Sequence, residues 1–153
     1  MIEEAAEFAR EAHRGMFRKG TEIPYIVHPI ETAVIVASFT DDEEVIAAAL
    51  LHDVVEDTDV TGEERKAATL RHLESACRDV KILALGDKLS NIRSTASDYL
   101  VHGDRVFLRF NEKKKEKHAW YYWGIAKALE ELKDSTYYAE YIQLCGQVFG
   151  RQV

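Results

Sequence analysis

Residues 52–57 read His-Asp-Val-Val-Glu-Asp and close an uncharged, helix-forming run, Val45-Ile46-Ala47-Ala48-Ala49-Leu50-Leu51. A globular chain buries such a run, and burial carries His52 and Asp53 inward with it. An imidazole and a carboxylate in that setting are costly unless something pairs with them. For an adjacent histidine and aspartate, a metal ion is the economical partner. A helix continuing over about 42–56 sets His52/Glu56 and Asp53/Asp57 one turn apart on shared faces. Acids at a helix C-terminus oppose its dipole, so Glu56 and Asp57 also call for a cation. A metal-binding pair with two further acids beside it is equipment for hydrolysis. The pair alone is a weak signal, because such a dipeptide also serves as a structural hydrogen bond.

Two other stretches add to it. In Tyr25-Ile26-Val27-His28-Pro29 a histidine sits at a helix entrance, held there by the proline that follows. In Gly86-Asp87-Lys88-Leu89-Ser90-Asn91, Asp87 and Asn91 share a helix face. His28, His52, Asp53 and Asp87 together make two imidazoles and two carboxylates. That set suits Mn²⁺, Fe²⁺ or Zn²⁺ with positions left for water and substrate.

The elements that must position these groups read as helices throughout. Ile2, Ala5, Ala6, Ala9 and Ala12 mark a helix over 2–14, with Phe8 adjoining the stripe. A loop with Gly15, Gly20 and Pro24 follows to His28. Pro29, as a first helical residue, opens a second helix to about Phe39. Asp42 is the expected N-cap of a third, about 42–56. Further helices are expected over 62–77, 79–95 (Val80, Leu83, Ala84, Asp87, Asn91 and Ser94 along one side), about 112–132 and 136–149, with 98–112 irregular. The expectation is a single all-α domain spanning 1–153.

Composition narrows the function. The formal charge of −7 argues against a protein that coats DNA or RNA, yet a metal and a few local cations can invert the field inside one pocket. Lys113-Lys114-Lys115-Glu116-Lys117-His118 followed by Trp120-Tyr121-Tyr122-Trp123 tempts a base-stacking reading. A solvated first turn leading into a bulky core-closing face explains it better. Cys77 and Cys145 have neither disulfide-framework nor zinc-ribbon spacing. The acidic N-terminus has no signal-peptide core, and no apolar run approaches the ~20 residues that span a bilayer. The expected location is the cytoplasm. His13, His72, His102 and His118 are expected at the surface or core edge.

The motifs His13-Arg14 through Arg18-Lys19, Pro24 through Ile30, Ala48 through Thr58 and Lys81 through Arg93 resemble, in that order, the HD-domain metal-dependent phosphohydrolases. Among them the chain is most similar to the hydrolase domain of the RelA/SpoT family and the small alarmone hydrolases, over roughly residues 2–95. The resemblance implies a helical HD domain whose His28, His52, Asp53 and Asp87 bind one Mn²⁺. It implies that Glu56 and Asp57 orient or deprotonate the attacking water and that Asn91 touches the substrate. Arg18 and Lys19 would lie near the purine or phosphates, with Tyr25 and Lys88 in the same pocket. The implied reaction removes the 3′-pyrophosphate of guanosine tetra- or pentaphosphate, giving pyrophosphate and GDP or GTP. One departure stands out. Where the family carries a longer connection after the acidic pair, Asp57-Thr58-Asp59-Val60-Thr61 runs straight into Gly62-Glu63-Glu64-Arg65-Lys66. A segment is either absent between Thr61 and Gly62 or omitted from the sequence, and its loss would open one wall of the pocket. An HD phosphatase for another nucleotide or phosphorylated cofactor, or a non-catalytic nucleotide-binding module, are the alternatives.

Overall fold

The computed structural model describes residues 1–54 and 62–151. Among them the chain forms seven α-helices: α1 (Ile2–Ala12), α2 (Val27–Ala37), α3 (Glu43–Leu51), α4 (Gly62–Glu74), α5 (Arg78–His102), α6 (Lys115–Ala128) and α7 (Thr136–Phe149). A 3₁₀ segment, Gly103–Arg109, follows α5, and a shorter one, Glu130–Leu132, precedes α7. The all-α expectation holds.

The axis of the fold is α5, whose 25 residues run about 37 Å. Ile82, Leu85, Leu89, Ile92 and Ala96 recur every three or four residues and form one fully inward stripe. The side bearing Asp87, Asn91 and Ser94 is only partly covered, which leaves polar groups at the edge of the core. Helices α2 and α7 pack along α5, α1 and α2 pack on α3, and α4 pairs with α6. Contact between α2 and α5 is close at Gly86. A β-carbon there would lie 3.0 Å from the Thr32 carbonyl oxygen and 3.3 Å from a Val36 methyl. Absence of a side chain therefore sets how near the His28-bearing and Asp87-bearing helices come.

Several boundaries differ from expectation, each for a physical reason. Helix α2 begins at Val27, so Pro29 is its third residue rather than its first. Its missing N–H costs nothing there, because the first four amides of a helix have no intrahelical partner. Asp42 does cap α3, accepting the Glu44 amide at 2.9 Å. That helix stops at Leu51 instead of running to 56, and His52–Val54 form a turn. Helix α5 runs through the stretch expected to be irregular from residue 98 and ends at Gly103, whose φ of +59° suits glycine. On α1 the inward stripe continues through His13, which is 6% exposed, while Ala12 and Phe8 face outward.

Candidate active site

Two helix ends and the middle of a third helix meet at one point. His28 comes from the first turn of α2, His52 and Asp53 from the turn closing α3, and Asp87 from the middle of α5. His28 Nε2 lies 3.2 Å from His52 Nε2, 3.3 Å from Asp53 Oδ2 and 3.1 Å from Asp87 Oδ1. His52 Nε2 lies 3.2 Å from Asp53 Oδ2 and 3.4 Å from Asp87 Oδ1. Two imidazole nitrogens and two carboxylate oxygens thus face a common centre.

The remaining ring atoms show which way the lone pairs point. His52 Nδ1 is 2.6 Å from the Ala49 carbonyl, which can only accept, so Nδ1 carries the proton and Nε2 is left for the centre. His28 Nδ1 pairs with Ser90 Oγ at 2.8 Å. Donors bonded to one ion at about 2.1 Å stand roughly 3.0–3.4 Å apart, from octahedral to tetrahedral geometry. The observed spacings of 3.1–3.4 Å fit that interval. His28, His52 and Asp53 satisfy the geometry of a metal site, and Asp87 Oδ1 stands 3.1 and 3.4 Å from the two imidazole nitrogens.

Electrostatics around the centre favour charged forms. Burial opposes ionisation of Asp53, but hydrogen bonds from His28, His52 and Tyr25 hold its carboxyl well below the usual range. For Asp87 burial is outweighed by the Lys88 charge and then by the two imidazoles, again keeping the carboxylate ionised. Burial would discharge His52, yet Asp53 and Asp87 raise it to about 10. Without a cation the cluster holds a proton on that imidazole, in the place where a metal's charge would serve.

A cleft of about 300 Å³ opens beside the centre. Five cationic side chains line it: Arg18, Lys19, Lys66, Lys88 and Arg109. Among the described residues no carboxylate does, although the chain as a whole is acidic. Aromatic rings of Tyr25, Phe107, Phe110, Tyr121 and Tyr122 make up much of the wall. Tyr121 sits between two lysines, with Lys66 Nζ 5.4 Å and Lys88 Nζ 5.3 Å from its ring centre. Cations and aromatic faces in one concave site suit an anion that carries a planar ring.

All five residues expected from the sequence at the substrate line this cleft. Tyr25 donates from its hydroxyl to Asp53 Oδ2 at 2.6 Å, so it joins cleft to centre. Asn91 donates to Asp87 Oδ1 at 3.2 Å and accepts from Arg18 Nη2 at 3.3 Å. Lys88 Nζ pairs with Asp87 Oδ2 at 3.2 Å. Lys19 is exposed at the loop tip. Glu56 and Asp57 lie outside the described residues. The helix expected to align them with His52 and Asp53 has ended before those positions.

Sequence reasoning missed Lys66, Arg109, His118 and Tyr121 in the cleft. No local spacing joins them, since they come from α4, the 3₁₀ segment and α6. His13 is not at the surface. It is buried with neither ring nitrogen hydrogen-bonded and its ring centre 4.9 Å from that of Tyr25. Tyr121 is buried as part of the core-closing face, whereas Trp120 on the same helix is 48% exposed.

Comparison with known proteins bears on the same residues. Residues 5–69 match a family model described as an HD domain. The MESH1 guanosine-3′,5′-bis(diphosphate) 3′-pyrophosphohydrolase of Xenopus tropicalis is 35% identical over 122 residues, covering 61% of this chain and 68% of the frog protein. The chain belongs to this HD-domain pyrophosphohydrolase family. A Haemophilus influenzae enzyme named for the same activity is 53% identical over 58 residues, which is 38% of this chain and 8% of that enzyme. The chain therefore spans less than a tenth of the length of that bacterial relative. A crystal structure of a Listeria monocytogenes protein superposes with a TM-score of 0.72 at 25% identity, covering 81% of this chain and 99% of that one. The 122-residue frog alignment uses only 61% of this chain, so the frog protein carries residues there without counterparts here. An HD domain implies a divalent metal, and the His28/His52/Asp53 cluster is where the fold offers ligands for one.

Proposed function

We propose that this protein is a Mn²⁺-dependent hydrolase that removes the 3′-diphosphate of guanosine tetra- or pentaphosphate in the cytoplasm. The observation that carries the reading is the meeting of two imidazole nitrogens with two carboxylate oxygens, each oxygen 3.1–3.4 Å from both nitrogens, beside a cleft lined by five cations. The named activity of the frog and Haemophilus relatives supports the substrate class. His28, His52, Asp53 and Asp87 would hold the ion; Fe²⁺ or Zn²⁺ would suit the same donors. Bound there, a divalent metal neutralises phosphate charge and makes water a competent nucleophile near neutral pH.

The chain's own groups account for the rest. Ala49 and Ser90 fix the two imidazoles, and Tyr25 steadies the Asp53 carboxylate through its hydroxyl. Glu56 takes the proton of the attacking water and Asp57 orients that water, which bonds to the 3′-linked phosphorus as the bond to the ribose oxygen breaks. Lys88 stays cationic, since Asp87 outweighs its burial. Arg18, Lys19 and Lys88 balance the diphosphate, with Asn91 in reach of the nucleotide. Among the described residues no helix is long and apolar enough to cross a membrane.

The test is Mn²⁺-dependent release of pyrophosphate from ppGpp, with Asp53→Ala alongside. Release by wild type and none by the variant supports the reading. Metal binding with ppGpp left intact overturns the alarmone assignment. The unmatched residues of the frog alignment keep a second reading in play, in which another phosphorylated nucleotide is the substrate. Orthophosphate rather than pyrophosphate release across a nucleotide panel would mark it. Tight nucleotide binding without turnover would mark a binding module instead.

A further inference from the structure

The loop between α1 and α2 folds back on itself. Phe17 and Pro24 form an isolated antiparallel bridge, and the Arg18 amide donates to the Ile23 carbonyl at 2.9 Å. Lys19 and Gly20 are its tip, and Arg18 and Lys19 project from it into the cleft. Arg18 holds to α5 through its own Nη2, 3.3 Å from Asn91 Oδ1 and 3.4 Å from the Ser90 carbonyl. Among the described residues no other loop side chain ties Lys19 and Gly20 to the body of the protein. Arg109, ninety residues on, does. Its Nη1 donates to the Lys19 carbonyl at 3.3 Å, its Nη2 pairs with Asp98 Oδ2 at 2.8 Å, and its guanidinium lies 5.6 Å from the Phe110 ring centre. The Arg109 side chain is 17% exposed. It packs so closely on Gly20 that a β-carbon there would come within 2.5 Å of Arg109 Cδ. Gly20 also has φ of +72°, so the tip's backbone form and its contact with Arg109 are both specific to glycine.

We propose that Arg109 is a positioning residue that clasps the Arg18–Gly20 tip to α5, so that affinity for the anionic nucleotide depends on a guanidinium that acts through the loop. The inference rests on the hydrolase reading for its substrate and on geometry alone for the clasp. Asp98 holds one edge of the fork, Phe110 holds its face, and the other edge reaches the loop. The planar fork is the reason an arginine serves here, because a lysine ammonium cannot bridge Asp98 and the Lys19 carbonyl while stacking on Phe110. Freed from the clasp, the tip and its Lys19 must be ordered anew each time substrate binds, while Arg18 keeps its own bonds to α5.

Two measurements test it. Hydrogen exchange on the ligand-free protein should show faster exchange of the Arg18 and Thr21 amides in Arg109→Ala, with α5 amides unchanged. That readout needs no substrate, so it stands even if ppGpp proves not to be one. In the assay, Arg109→Ala should raise KM by about five- to tenfold with a smaller change in kcat, the cost of ordering freed side chains. Arg109→Lys should recover little of it. The deciding comparison is Arg109→Ala added to an Arg18→Ala/Lys19→Ala background, where no further rise in KM is expected. A full additional rise would show that Arg109 contacts the nucleotide itself and would overturn the clasp. Unchanged loop exchange in Arg109→Ala, whatever the KM, would overturn it as well.

Discussion

The centre and the cleft are built by opposite means. The centre is compact: the two imidazole Nε2 atoms lie 3.2 Å apart, the Asp53 and Asp87 carboxylate oxygens each lie within 3.4 Å of both, and each imidazole has its second nitrogen engaged. The cleft is dispersed: its cations come from the α1–α2 loop, α4, α5 and the 3₁₀ segment. Chemistry at a fixed point demands preorganised neighbours, whereas holding a flexible polyanion asks only for many cations around one volume. Damage should therefore be abrupt at the centre and gradual in the cleft.

Asp87→Ala should do the most. It removes one donor and leaves Lys88, 18% exposed, without its carboxylate partner. Breaking a buried ion pair from one side costs about 3 kcal/mol or more, so a lowered denaturation midpoint should accompany loss of bound metal. An unchanged midpoint would mean the lysine finds water. Next comes Glu56→Gln, expected to cut kcat by about 10²–10⁴ with metal content intact. Metal analysis beside the kinetics checks it, and surviving turnover would assign proton transfer elsewhere. A third effect separates metal-free from metal-loaded protein. His52 is raised by Asp53 and Asp87, so its contribution to stability is complete below the ordinary imidazole value, about 6.5. In metal-free protein it is lost as pH rises from there towards about 10. Saturating metal should flatten that decline, and metal affinity should climb over the same window as the proton is displaced. Denaturation curves with and without chelator read both. The smallest effect belongs to the cleft: Lys66→Ala should raise KM only about three- to fivefold, one cation among five, and leave metal content untouched. A change in metal content would collapse the distinction between the two regions.

How far each region could be read beforehand follows the same division. His28, His52, Asp53 and Asp87 announced themselves because each sits in a short motif whose residue types are expensive to bury alone. The all-α fold was legible from spacing, and Asp42 from its capping chemistry. The end of α3 was not, because Val54 and Val55 continue the apolar pattern past Leu51 and nothing local forbids a helix there. The continuation of α5 to His102 was missed because mixed polar residues after 95 looked irregular, although no breaker occurs before Gly103. Lys66, Arg109 and Tyr121 were invisible in the cleft, since no local rule relates three residues from three separate segments. His13 misled in the other direction: a histidine read as peripheral fills the inward position that Ala9 predicts one turn later.

At Gly86 two helices meet so closely that a β-carbon would press on the Thr32 carbonyl at 3.0 Å, where any other residue would act as a shim. Since His28 rides on one of those helices and Asp87 on the other, the bite of a chelate formed by the two would be set by the hydrophobic interior. Substitutions such as Val36→Ile, buried and remote from any nucleotide, would then spread the jaws slightly. They would appear as easier stripping by chelator before any change in cooperative melting. In that sense the ion's grip is a gauge of how well the core closes.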